Sequence, residues 1–263
     1  MDQYLVTTLS KDAIECAFTT KSNSYEPIEK FVHFYGRLCV EDFFEVLLCC
    51  GNGYGVAALK LLRSLYEHAV TLRYLQDNPE MLDDFYDFQA ISHNKELTAV
   101  EETFGKEDIQ KLGVVREEYS AVVRERYKTV KDKFKVADCK ECGTERMNHT
   151  WSKLDFVSMA KKTGTLGKLL FSGYLLPIRH VHATLASLDK RLEASETGGL
   201  AFIPTAQRGL ANTALITAHE ILLEVLRVQE ERFKLLGLED KIKVCDQDYL
   251  DMNLKKNGAD TKE

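Results

Sequence analysis

Apolar residues recur at three- and four-residue intervals along most of this 263-residue chain, the period of helices that bury one face. The densest stretch runs from Ala57 to Leu75. There Leu61, Leu65, Leu72 and Leu75 form a stripe, and Ala58, Leu59, Leu62, Tyr66, Ala69 and Val70 fill most of the remaining surface. A helix apolar on nearly every side belongs at the centre of a fold. Charges on such a helix must be paired, hydrogen-bonded or used. Arg63 and Glu67 are four apart and share a face, and His68 falls on the leucine stripe.

The same reading predicts the neighbouring elements. Residues 1–24 are mixed and end in a polar run, Thr19 to Ser24, suited to capping the next helix. From Pro27 a helix runs to Cys50, buried at Phe31, Phe34, Leu38, Phe43 and Leu47, and Gly51-Asn52-Gly53 stops it. The central helix ends before Asn78-Pro79. Further helices are expected over Glu80–Phe104, Asp108–Lys135, Ser152–Lys162, Leu166–Leu192 with a kink at Pro177, and Thr205–Leu236. Cys139–Asn148 and Glu196–Pro204 read as loops, and no strand alternation extends beyond a few residues. The expectation is an all-α fold, an irregular bundle of about seven helices. A single helical domain would span 25–238, between an N-terminal segment (1–24) and a polar tail (239–263).

Composition narrows the class. Apolar residues make up 44% and charged residues 29%, ordinary for a soluble globular protein. A net charge of −6 gives no general attraction to nucleic acid, so any such contact needs a local basic patch. No apolar run reads as long enough to span a bilayer, and the start, MDQYLVTTLS, is not a secretory signal. Seven cysteines, an odd count at irregular spacing, fit free thiols in a reducing cytoplasm. Walker A, GxGxxG, HExxH and GxSxG patterns are all missing, which removes nucleotide-fuelled, zinc-protease and α/β-hydrolase chemistry.

Candidate chemistry sits at four places. Arg63 with Glu67 can hold an anion and move or orient a proton, or it can lock two helices together as an ion pair. Past the Pro177 kink, Tyr174, Ile178 and His182 lie at i, i+4 and i+8, so His182 is expected to face inward toward Arg63 and Glu67, and His180 outward. Arg124, Lys128, Lys131 and Lys135 follow i, i+4, i+7 and i+11 spacing and would share one basic face, fit for RNA phosphates or simply solvated. Cys139 and Cys142 form a single CxxC, half of a zinc knuckle, and the remaining ligands of a closed site are not in view. No metal or other cofactor is expected.

Two resemblances attach to these residues. Arg63-Ser-Leu-Tyr-Glu-His68 resembles the Arg-x4-6-His motif of the HEPN superfamily, helical proteins that include metal-independent ribonucleases of toxin and phage-defence systems. The resemblance implies a histidine base for a ribose 2′-hydroxyl and an arginine at the scissile phosphate. A wider stretch, roughly residues 30–190, resembles an uncharacterised bacterial helical family, domain of unknown function 5677. The shared features are Arg63-x3-Glu67, the turn RYLQDNPE, Trp151 ahead of a helix, and Tyr174 followed by Val181-His182. A serine usual between that tyrosine and histidine is replaced here by Pro177-Ile178-Arg179.

The leading expectation is a cytoplasmic bacterial RNA-cleaving protein. Arg63, Glu67, His68 and His182 form its centre, Arg124 to Lys135 guide the strand, and a homodimer pairs two motifs. The alternatives are a non-catalytic helical protein that binds a cognate protein partner, and a small-molecule sensor whose pocket is the Arg/Glu/His cluster.

Overall fold

The structure is a computed structural model that describes residues 3–18, 25–105, 117–137, 145–182, 185, 188, 191–194, 198–202 and 207–247. Its described residues are mostly helical: α1 (Gln3–Phe18), α2 (Pro27–Gly51), α3 (Gly55–Asp77), α4 (Leu82–Phe104), α5 (Glu117–Val130), α6 (Phe156–Ala160), α7 (Thr165–Lys168), α8 (Leu176–Val181) and α9 (Arg208–Phe233). A π-helical turn, Phe171–Leu175, leads into α8, and residues 238–247 are helical. Chain contacts divide the molecule into two compact units, Met1–Asp77 with Ala160–Glu263, and Asn78–Met159.

The first unit is built on α2, α3 and α9, which pack on one another. Pro27 sets the first turn of α2, and the Glu29 carboxylate accepts a hydrogen bond from the Glu26 N–H at 2.9 Å. At its other end Asn52 donates from its side chain to the Leu48 carbonyl at 2.8 Å, and Gly53 at φ 76° turns the chain into α3. Leu59, Leu62, Leu65, Tyr66, Leu72 and Leu75 of α3 are buried, as a central helix requires. They meet Ile221, Leu222, Val225 and Leu226 of α9 and Phe43, Val46 and Leu47 of α2 in the same core. The helix α9 is long and apolar enough to cross a membrane by composition, contrary to the sequence reading, but two-thirds of that stretch is buried inside the fold. The first helix, α1, lies outside the expected bundle in sequence yet packs on α2 and α9 through Ala13 and Ala17.

Leu166–Leu192, expected as one kinked helix, is broken into α7, the π turn and α8. Pro177 donates no N–H to the preceding turn, and the widened π turn absorbs the mismatch. Gly173 in that turn lies against Tyr66; a Cβ there would stand 2.5 Å from the ring. The Tyr66 hydroxyl in turn donates to the Leu166 carbonyl at 2.7 Å, so one buried ring of α3 fixes this whole segment. Two expected loops carry short hairpins. β1 (Lys135–Ala137) pairs antiparallel with β2 (Glu145–Met147), and β3 (Leu192–Ala194) with β4 (Leu200–Phe202). Three-residue strands are too short to leave a period in the sequence.

The second unit packs α4 against α5. Ala90, Ile91, Val130 and Phe134 form its small core, with Phe88, Tyr127 and Met147 against it. Phe85 meets Trp151 edge-on at 5.3 Å.

Candidate functional site

A polar cluster occupies the side of the first unit where α2 and α3 meet. Arg63 donates from Nε to Glu67 Oε1 at 2.7 Å along α3, the i, i+4 pairing read from the sequence. The Arg63 guanidinium lies over the Tyr174 ring, 5.0 Å from its centroid, so the π turn supplies a second surface that holds it. One helical position past Glu67, His68 Nδ1 lies 2.6 Å from Asp42 Oδ2 of α2. Tyr35, one heptad before Asp42 on the same face of α2, meets the His68 ring edge-on at 5.4 Å.

This cluster is half-buried. The Arg63, Glu67 and His68 side chains keep 21%, 38% and 28% of their surface in solvent, and Asp42 keeps 14%. They are therefore reachable by a solute, yet shielded enough for charge to matter. Burial raises the Tyr35 hydroxyl well above the ordinary tyrosine range, and the charges of Cys39, Asp42 and Glu67 push the same way. The phenol stays neutral and can donate a hydrogen bond. Arg63 and His68 point about 140° apart around α3. Glu67 lies in the arc between them, and the Tyr35 ring borders it beside His68.

The sequence missed Asp42 and Tyr35. Their i, i+7 spacing put them on one face of α2, but nothing in the sequence turned that face toward His68. Nor does His68 sit in the leucine core; Leu65, Leu72 and Leu75 bury fully while the imidazole rides at the edge.

His182 takes a different place from the one expected. The helix α8 ends at Val181, and His182 follows it in extended conformation with an exposed side chain. Among the described residues no hydrogen bond or ion pair joins it to Arg63 or Glu67. The inward position belongs to His180, 6% exposed, whose Nδ1 has no hydrogen-bond partner among the described residues. Burial lowers its pKa, and Lys60, Arg191 and Arg179 lower it further. The π turn explains the exchange, since one residue per turn beyond the α-helical count rotates everything after it.

The basic stripe is also rearranged. The α-helix stops at Val130, and Lys131–Phe134 form a 3₁₀ turn, so Lys131 and Lys135 leave the i, i+4 ladder. Arg124 is paired with Glu101, Lys128 lies 3.5 Å from Glu125, and Lys135 lies 2.7 Å from Asp132 and 3.5 Å from Glu145. Lys133, which the sequence reading passed over, bridges Asp84 at 2.6 Å and Asp87 at 3.0 Å. Carboxylates of the same unit thus answer most of this positive charge. Cys139 and Cys142 lie outside the described residues.

A separate groove of about 640 Å³ in the first unit is lined by Arg73, Asp77, Lys162, Glu224, Arg227 and Glu231, among others. Its charges are largely spent on one another. Arg73 holds Asp77 at 2.9 Å and Glu231 at 2.7 Å, and Arg227 holds Glu224 and, at 3.2 Å, Asp246. That pattern joins α3, α9 and the helical residues 238–247.

The family model described as "Family of unknown function (DUF5677)" matches residues 30–200, more than half of the chain. The chain belongs to this family. The DUF5677 match runs from α2 through the hairpin β3–β4, so it contains Tyr35, Asp42, Arg63, Glu67, His68 and Tyr174 and leaves out α9. No curated protein and no solved structure matches the chain. Membership of DUF5677 carries no activity with it.

Proposed function

We propose that the α2–α3 polar face cleaves RNA by internal transesterification, needing no metal ion, in a bacterial toxin or phage-defence setting. What supports the reading most is the Asp42–His68 hydrogen bond beside a half-exposed Arg63. A carboxylate at Nδ1 keeps the proton on that nitrogen and leaves Nε2 as an acceptor. Nε2 takes the proton of a ribose 2′-hydroxyl. The 2′ oxygen then attacks the adjacent phosphorus, the bond to the 5′ oxygen breaks, and that oxygen takes up a proton from water. The products are a 2′,3′-cyclic phosphate and a free 5′-hydroxyl.

Arg63 binds phosphate of the strand through its terminal nitrogens, since Glu67 occupies Nε. Glu67 and Tyr174 act as positioning residues for that guanidinium. The strand lies across the arc between Arg63 and His68, past the neutral Tyr35 phenol beside His68. The residues Arg124, Lys128, Lys131 and Lys135 are given no part in binding, because carboxylates already engage most of that charge.

The test is incubation of the purified full chain with end-labelled single-stranded RNA in the presence of a chelator. Fragments ending in 2′,3′-cyclic phosphate are expected from the wild type and strongly reduced amounts from His68→Ala and Arg63→Ala. Intact RNA with the wild type, or equal cleavage by both variants, overturns the proposal.

A further inference from the structure

The outer face of α2 carries a pattern that the fold does not use. Phe34, Arg37, Glu41, Phe44 and Leu48 follow one another at intervals of three, four, three and four residues, the seam of a two-helix coiled coil. Phe34 and Leu48 are each 65% exposed and Phe44 is 43% exposed, while Phe43, Val46 and Leu47 on the opposite side fill the core. Arg37, Glu41 and Glu45 are exposed, and among the described residues no ion pair engages them. Large apolar side chains repeated on a solvent-facing helix at this spacing mark an interaction surface.

We infer that two copies of this chain associate through α2, antiparallel, about a two-fold axis near Glu41. The pattern is complementary to itself in that arrangement. Phe34 and Leu48 each stand seven residues from Glu41, so each meets the other across the axis. Arg37 and Glu45 each stand four residues away and form two symmetric ion pairs. Leu38 and Phe44, three residues away, pack together. A parallel arrangement would instead set Arg37 on Arg37 and Glu41 on Glu41. In the antiparallel one only Glu41 meets its own copy, with an Arg37 from each chain one turn away to offset the repulsion. A two-fold contact uses the same patch twice, and this patch supplies both halves. The occupant is thus a second copy of this chain.

Asp42 follows Glu41 directly, so the two Asp42–His68 pairs flank the axis. The inference stands on the α2 face alone and is independent of the proposed RNA cleavage.

The experiment is light scattering coupled to gel filtration, with sedimentation equilibrium, on the purified full chain from low to high micromolar concentration. A concentration-dependent dimer is expected for the wild type. Phe34→Glu combined with Leu48→Glu should be monomeric with unchanged helical circular dichroism, since both side chains lie outside the core. Arg37→Glu alone should raise the dimer Kd about tenfold or more, through like charge against Glu45. Adding Glu41→Arg and Glu45→Arg to Arg37→Glu should restore the dimer. A wild type that is monomeric at the highest concentration overturns the inference. So does a dimer unaffected by the Phe34 and Leu48 substitutions, or a charge reversal that fails to restore association.

Discussion

Asp42 Oδ2 and His68 Nδ1 are 2.6 Å apart across the packing of α2 on α3. The pair ties the two helices together and fixes the imidazole with its other nitrogen left over. If it positions a base, Asp42→Asn should lower RNA cleavage by roughly 10²-fold or more, acting on turnover rather than on RNA affinity. A variant that cleaves at the wild-type rate would reduce the pair to a helix clamp. Kinetics with a fluorogenic oligoribonucleotide read the difference.

Arg63 and Glu67 allow the structural and functional readings to be separated. Partly exposed i, i+4 pairs contribute at most about 1 kcal/mol to stability. Arg63→Gln and Glu67→Gln should therefore melt within a few degrees of the wild type, while Arg63→Gln loses activity. Loss of fold in Arg63→Gln would assign the residue to the bundle instead. Thermal melts run beside the cleavage assay decide this.

Gly173→Ala should destabilise the first unit. The added methyl meets the Tyr66 ring, which is buried and hydrogen-bonded to Leu166 and has little room to retreat. Overpacking of this kind costs about 1–3 kcal/mol. Tyr66→Phe, which keeps the ring and removes the bond to the Leu166 carbonyl, should cost about 1 kcal/mol. Urea unfolding of the two variants measures both, and an unchanged midpoint for Gly173→Ala would contradict the close approach.

Acid should unfold this protein in part through His219. The residue is buried on α9, and desolvation pushes its pKa down to about 4, against 6.5 for the free side chain. The unfolded chain then binds a proton between pH 6.5 and 4 that the native state refuses. Stability from this group is therefore complete above pH 6.5 and falls as pH drops toward 4, a loss on the order of 3 kcal/mol. His180, lowered in the same direction, adds to the slope. His219→Gln should flatten the dependence of urea unfolding on pH across this window. Parallel slopes for wild type and variant would show that His219 does not carry it.

Much of the architecture could be read from residue periodicity, because the long helices α2, α3, α4 and α9 each bury a stripe of several turns. The Arg63–Glu67 pairing followed from the helix period alone. What escaped notice depends on how one helix is rotated against another, or on a local change of helix type. Asp42 meets His68 only because α2 turns that face toward α3. His180 took the place expected of His182 because a π turn shifted the phase ahead of α8. The hairpin strands are too short for alternation to register, and α1 is a helix in a stretch that read as mixed.

The second unit, Asn78–Met159, is inserted in the chain between α3 and the segment that closes the first unit. As the chain leaves the ribosome, α2 and α3 emerge before α9, with the leucines that α9 will cover still wet. The whole insertion must be synthesised before α9 arrives to cover them. Completion of the three-helix core thus waits on a long-range contact, and the newborn protein carries a greasy, half-built surface until α9 emerges.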